Sequence, residues 1–409
     1  MKFEVHAGWM SPSETVGECN IEKSRGNEII SFSYNELWLS RHSDIILDPD
    51  LYIMEGRQYP SSDKRCFGFL EDSAPDRWGR MLMNRRERID AEKESRPVRT
   101  LMESDYILGV HDGGRIGGLR FFDPDKKTYL SDRDTLAAPP IEMLRKLEQA
   151  ALYLEENPDK AAEKWLNNLL EPGSSLGGAR PKANVIDEKG DIWIAKFPSK
   201  RDEINIGAWE MVAHDLALEC GLNVPNARLI RFSEAGDTFL TQRFDRQKDL
   251  RVHYASAMTM LGKTDGDSEI SSYIDIAEII EQICKKPEEN LKELWRRMIF
   301  NICISNTDDH LRNHGFLLKD GSWELSPCFD INPSLDKNHL SLYILHSDNL
   351  DLSEAIEAAG YFRLGKNEAE RDVSAIKDTV RKNWRKEANK YKISKREQNV
   401  LESAFEGDL

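Results

Sequence analysis

The stretch Asn306-Thr307-Asp308-Asp309-His310-Leu311-Arg312-Asn313-His314-Gly315-Phe316, followed by Cys328-Phe329-Asp330-Ile331, decides how this chain is read. An aspartate, an asparagine five positions later and a second aspartate after the next strand-like run form a minimal set for phosphoryl transfer. The first acid can take a proton from an attacking hydroxyl, while the asparagine and the later acid offer oxygen ligands to Mg²⁺ beside nucleotide phosphates. On this reading Asp308 is the candidate base, and Asn313 and Asp330 are the candidate metal ligands. Charge packed this densely between the apolar runs Ile302-Cys303-Ile304 and Gly315-Phe316-Leu317-Leu318 is hard to explain by solubility alone. The pair His310 and His314 lacks the Glu that follows the first His in metalloproteases, so zinc is disfavoured and His310 is expected to organise the loop.

Upstream, Gly173-Ser174-Ser175-Leu176-Gly177-Gly178-Ala179-Arg180-Pro181-Lys182 joins a helix to a strand. Its small residues let backbone N–H groups approach phosphate oxygens, although it matches neither the P-loop nor the protein-kinase glycine pattern. Ser175, Gly177, Gly178 and Ala179 are the candidate nucleotide contacts. Lys196 follows on the apolar run Trp193-Ile194-Ala195-Lys196-Phe197, where an unpaired ammonium is costly and an anionic partner is required. Nucleotide phosphates suit that role, with Glu210 on the next predicted helix holding the lysine in place. Gln242-Arg243-Phe244-Asp245-Arg246 closes the small α/β lobe, which makes Gln242 and Phe244 candidates for contact with adenine. A structural ion pair among Arg243, Asp245 and Arg246 is the competing reading.

The spacing predicts an α+β chain: a β-rich N-terminal subdomain over 1–135, a small α/β lobe over 136–250 and a mainly helical lobe over 251–409. A helix is expected over Ala74–Arg86, its arginines forming a solvated face. Two more are expected over Ile141–Glu155 and Asp159–Leu170, each with apolar residues at three- and four-residue spacing. A late basic run includes Arg381, Lys382, Arg385, Lys386, Lys390, Lys392, Lys395 and Arg396, and its default reading is a solvated helix face.

The chain has 409 residues, 39% of them hydrophobic, enough for a substantial core. Its formal net charge of −15 opposes direct attraction to a phosphate backbone. The six cysteines form no Cys-x-x-Cys pair and sit mostly among apolar neighbours, which predicts buried thiols. The N-terminal residues lack a signal-peptide core, and no apolar run approaches the length of a membrane span, so a cytoplasmic protein is expected.

The ordered set resembles the HipA family, serine/threonine protein kinases that act as toxins in bacterial toxin–antitoxin systems. The resemblance rests on Ser175-Leu176-Gly177-Gly178-Ala179-Arg180-Pro181-Lys182, Trp193-Ile194-Ala195-Lys196-Phe197-Pro198, Arg243-Phe244-Asp245-Arg246, Asn306 through Asn313, and Leu325-Ser326-Pro327-Cys328-Phe329-Asp330-Ile331. It implies a divergent bilobal protein-kinase-like fold behind the N-terminal subdomain. It also implies ATP and Mg²⁺ as cofactors, Lys196 as nucleotide lysine, Asp308 as base, and Asn313 and Asp330 as metal ligands. Ser175, or the adjacent Ser174, matches the serine that family members autophosphorylate; a phosphate there would repel those of ATP. The resemblance further implies a HipB-like helix-turn-helix antitoxin through which DNA is reached indirectly, and protein substrates such as aminoacyl-tRNA synthetases or other translation factors. Two other readings stand beside it: a small-molecule phosphotransferase of the antibiotic- or choline-kinase type, which shares the Asp-x-x-x-x-Asn spacing, and a catalytically silent regulatory binding module.

Overall fold

The structure is a computed structural model, and it describes every residue except 25, 133–136, 158–165, 168, 172–177, 248–249, 266–270, 335–338 and 408–409. Ser174, Ser175 and Gly177 therefore lie outside the described residues. The chain forms two compact units, one of Met1–Lys200 with Gln242–Thr264 and one of Arg201–Thr241 with Asp265–Leu409.

In the first unit, β1 (Lys2–Ala7), β2 (Glu14–Ser24), β3 (Asn27–Tyr34), β4 (Leu119–Asp123) and β5 (Thr128–Tyr129) form a sheet in the order β3-β2-β1-β4-β5. All its pairings are antiparallel. Alternate residues of β1, namely Phe3, Val5 and Ala7, are buried, as a period of two requires. The helix Arg77–Lys93 begins where the Asp76 side chain accepts the Gly79 N–H at 2.7 Å. Of its arginines, Arg77 and Arg88 are exposed as expected, while Arg80, Arg85 and Arg86 are half-buried. Arg80 makes a two-pronged pair with Glu103 at 2.9 and 2.6 Å, and Arg85 donates to the Leu154 carbonyl at 2.9 Å. Guanidinium groups reach acceptors that a sequence window does not contain.

A second hairpin pairs β6 (Lys182–Ile186) with β7 (Ile192–Lys196), with Lys182 opposite Lys196, Asn184 opposite Ile194 and Ala183 opposite Ala195. Opposed residues share a face, so Ala183, Val185, Trp193 and Ala195 lie together on one buried side, and Lys182 and Asn184 on the other side are buried as well. After this hairpin the first unit resumes at Gln242. There Arg243 binds Asp245 through Nε at 2.8 Å and Nη2 at 2.6 Å, and donates to the Gly114 carbonyl and Asn184 Oδ1. Asp245 also accepts the Gly117 N–H at 2.7 Å and pairs with Arg246 at 2.8 Å. The structural reading of these three residues thus accounts for their side chains, which fasten the 242–246 segment to residues 114–117.

The second unit is mainly helical. In the first turn of the helix Ile206–Glu219, a Cβ on Gly207 would fall 2.1 Å from the Asp237 carbonyl oxygen, so only glycine permits the approach. Its Trp209 stacks on Phe405 with centroids 5.8 Å apart, and Phe405 stacks on Trp384 of the helix Lys366–Lys390 at 4.9 Å. That long helix buries Val373, Ile376, Val380 and Trp384 on one stripe. Part of its basic face is paired within the unit: Arg385 with Glu402 and Glu406, Lys386 with Glu219, and Lys390 with Asp215. The helix Tyr273–Ile283 has a Ser272/Asp275 capping box, and Pro287 opens the helix Pro287–Cys303, which buries Leu291, Leu294, Trp295, Met298 and Ile302. The strands Gly315–Lys319 and Ser322–Leu325 form an antiparallel hairpin after it. All six cysteines are buried free thiols. Among the described residues no helix is long and apolar enough to cross a membrane.

Candidate active site

The loop Asn306–His314 hangs from the buried end of the helix Pro287–Cys303. Ser305 leaves that helix in the left-handed region at φ 52°, and its hydroxyl donates to the Ala404 carbonyl at 3.1 Å. Asn306 is tied to Asn301 twice, by backbone N–H to carbonyl at 2.8 Å and by side chain to side chain at 3.0 Å. A Ser341 hydroxyl holds the Thr307 carbonyl at 2.9 Å.

The two neighbouring acids then part company. Asp308 is exposed, whereas Asp309 is only 4% exposed. Oδ2 of Asp309 accepts from Tyr273 Oη at 2.6 Å and Asn301 Nδ2 at 2.8 Å, and lies 2.8 Å from His314 Nε2. Burial pushes this carboxyl up, but the charge and hydrogen bonds of His314, with the Tyr273 hydroxyl, outweigh it and hold Asp309 below the ordinary carboxylate range. Burial and the nearby Asp309 charge push the Tyr273 phenol well up, so it stays a donor. His310 was expected to organise this loop. Its Nδ1 is buried without a hydrogen-bond partner among the described residues, and His314 is the histidine that bonds the carboxylate.

A single 3₁₀ turn, Leu311–Asn313, closes the loop. Asn313 is buried, and its Nδ2 donates to the Asp308 carbonyl at 3.0 Å. With the amide nitrogen spent, the side-chain oxygen is the atom suited to a cation. Arg312 clamps Asp265 with two bonds of 3.0 Å.

Asp330 lies in the segment after the hairpin, in the left-handed region at φ 59°, a conformation that costs a non-glycine residue about 1 kcal/mol. The approach to it is fixed by three bonds: Arg297 Nη2 to the Ser326 carbonyl at 2.7 Å, Ser326 N–H to the Gly315 carbonyl at 2.7 Å, and Cys328 N–H to the Asn223 carbonyl at 2.7 Å. Beyond it, the Ser334 N–H returns to the Ser305 carbonyl at 3.1 Å, so the segment after Asp330 closes on the start of the loop. Glu210, on the helix Ile206–Glu219, is 3% exposed.

Asn313 and Asp330 supply hard oxygen donors of the kind Mg²⁺ takes. Among the described residues no three His, Cys, Asp or Glu side chains converge on a metal-sized site.

The remaining candidates belong to the first unit. Lys196 is half-buried at the end of β7. Gly178, in the left-handed region at φ 94°, and Ala179 are exposed. Gln242 and Phe244 are half-buried, with the Phe244 ring 6.2 Å from that of Tyr254, and the Arg243 N–H between them is committed to the Ile192 carbonyl at 2.9 Å. Sequence reasoning missed Tyr273 and Asn301. Asn301 carried a signal, since it is an amide inside the apolar run Ile299-Phe300-Asn301-Ile302-Cys303; Tyr273 carried none.

The family profile of the HipA-like C-terminal domain matches residues 174–384. Y4mE of Sinorhizobium fredii, whose name carries a provisional assignment as a kinase, is 23% identical over 334 residues, covering 74% of this chain and 71% of that one. The serine/threonine-protein kinase toxin HipA of Shewanella oneidensis is 22% identical over 259 residues, covering 56% of this chain and 59% of its own length. Among solved structures, the Shewanella oneidensis HipA–HipB–operator DNA complex contains a chain that matches with a TM-score of 0.64 at 16% identity, over 98% of this chain and 95% of that one. The likeness shows a divergent kinase-like fold of mixed helix and sheet. The profile covers more than half of the residues, and the chain belongs to the HipA-like kinases.

Proposed function

We propose that this chain is a Mg-ATP-dependent protein serine/threonine kinase acting in the cytoplasm. The observation that carries the reading is the division between neighbouring acids: Asp309 is buried under three polar side chains, while Asp308 stands exposed on a loop that Asn313 closes. A base must reach its substrate, and the exposure of Asp308 supports giving it that role.

In this proposal Asp308 accepts the proton of a serine or threonine hydroxyl. The hydroxyl oxygen bonds to the γ-phosphorus as the bond to the β–γ bridging oxygen breaks, and ADP keeps the electron pair. Lys196, steadied by Glu210, neutralises phosphate charge, and Gly178, Ala179, Gln242 and Phe244 line the nucleotide. Asn313 and Asp330 would hold Mg²⁺, whose bound charge would offset that building on the phosphates. Ser175, or Ser174, is the first substrate, and its phosphate would switch the enzyme off. The functional division 1–135, 136–250 and 251–409 belongs to the same proposal.

By analogy with the Shewanella complex, a HipB-like helix-turn-helix antitoxin is the proposed partner, and DNA is reached only through it, in keeping with the net charge of −15. Translation factors such as aminoacyl-tRNA synthetases are the proposed substrate class. Mass spectrometry of the purified protein and of a lysate, each incubated with Mg-ATP, tests the reading. Phosphate on Ser175 or Ser174 and new phosphopeptides in the lysate are expected; a phosphorylated metabolite with no phosphopeptide would overturn it in favour of a small-molecule phosphotransferase.

A further inference from the structure

Lys196 is not alone on its face of the β6–β7 hairpin. Lys182 sits directly opposite it, so the two side chains leave the same side of the ribbon. Like charges directly opposed on a hairpin repel, and such a pair calls for an anion. Lys182 is 3% exposed, and its Nζ lies 3.0 Å from Oδ2 of Asp76. The other oxygen of Asp76 caps the helix Arg77–Lys93 by accepting the Gly79 N–H. Trp78 Nε1 fixes the root of the strand by donating to the Lys182 carbonyl at 3.1 Å.

Three features set this contact apart from a plain structural pair. The contact between Oδ2 of Asp76 and the Lys182 ammonium is short but poorly aligned, so it rests mainly on charge. Burial raises the Asp76 carboxyl above its ordinary range, although the Lys182 charge pulls the other way, which means that the attraction does not cover the desolvation. Gly178 passes over the ammonium so closely that a Cβ there would lie 3.1 Å from Nζ, which puts the end of the glycine-rich segment next to this lysine.

We infer that Lys182 is a second phosphate-binding lysine on the face that carries Lys196, and that Asp76 is the resident anion which the phosphates of a bound nucleotide displace. The inference rests on the nucleotide reading of Lys196 above. A nucleotide triphosphate brings several charged oxygens where Asp76 offers one, and it can accept better-aligned bonds than the carboxylate does.

The test is calorimetric titration of the full chain and its variants with Mg-ATP and with adenosine. Asp76→Asn keeps the helix cap, because Asn and Asp cap equally well, and removes only the competing charge. It is expected to tighten Mg-ATP about threefold or more, whereas Lys182→Met weakens it about tenfold and Lys182→Arg restores most of the loss. Adenosine, which has no phosphate, should bind all of them alike. If Asp76→Asn and Lys182→Met shift Mg-ATP in the same direction, or adenosine moves as far as Mg-ATP, the pair is a structural brace and the inference is wrong. Should Lys182→Met not fold, the sign of the Asp76→Asn shift decides. Lys196→Ala separates the two levels: if it abolishes Mg-ATP binding while the Lys182 variants change nothing, only this inference falls. If wild type binds no Mg-ATP, or Lys196→Ala leaves it intact, the nucleotide reading falls and takes this one with it.

Discussion

Each unit buries a carboxylate, but with different company. In the first, Asp245 is matched by two guanidinium groups, Arg243 and Arg246, and by the Gly117 N–H. In the second, Asp309 gathers a phenol, an amide and an imidazole. The first set cancels charge and acts as a brace, holding the 242–246 segment to residues 114–117. The second fixes the shape of a loop without a lysine or arginine on the acid, beside Asp308, the proposed base. Strong pairing therefore sits where position matters, and weaker polar bonds sit where chemistry is proposed.

The contrast has measurable consequences. Asp245→Ala strands buried guanidinium charge and is expected to cost about 3–5 kcal/mol in denaturant unfolding of the first unit. Asp309→Asn keeps an acceptor of the same shape and should cost less, about 1–3 kcal/mol; an equal loss in both variants would erase the distinction. Both acids are held low, Asp245 by its two arginines against the opposing effect of burial, Asp309 by His314 and its hydrogen bonds. Their stabilisation is thus present above about pH 4 and is lost as pH falls through the lower folded values.

Asp48 runs the other way. It is buried with backbone N–H bonds from Asp50 and Phe69, and burial raises its carboxyl to about 6. A raised folded value means that stability is greatest below the unfolded value near 4 and falls as pH rises through 6, by on the order of 3 kcal/mol. Melting curves between pH 4 and 7 should show that slope in the wild type and a flatter one in Asp48→Asn. The smallest effect belongs to the surface: Lys390→Met, which removes the pair with Asp215, is expected to cost about 0.2–1 kcal/mol, and less at high salt.

Much of the second unit could be read in the sequence because its signals are local. Asp308 and Asn313 are five residues apart on one loop, and the apolar runs on either side are the helix Pro287–Cys303 and the strand Gly315–Lys319. The stripe Val373, Ile376, Val380 and Trp384 was legible for the same reason. What escaped were partners distant in sequence. Tyr273 reaches Asp309 from 36 residues away, and Asp76 meets Lys182 from the far side of the first unit's sequence. His310 looked the better organiser because it adjoins the acids, yet after the 3₁₀ turn it is His314, at the edge of the strand Gly315–Lys319, that meets Asp309. The late basic run is mostly exposed, as a solvated face should be, but the surface pairs it makes, such as Lys390 with Asp215, and the pair of Arg80 with Glu103 could not be read in a short window because the acceptors lie on other segments.

The rate of phosphate incorporation from labelled Mg-ATP, compared between Asp308→Asn and Asp309→Asn, bears on the proposed division between the two acids. Asp308→Asn should lower the rate by about a hundredfold or more with its melting temperature unchanged, while Asp309→Asn should lose stability and about tenfold in rate. Incorporation that survives Asp308→Asn but disappears in a folded Asp309→Asn protein would contradict it.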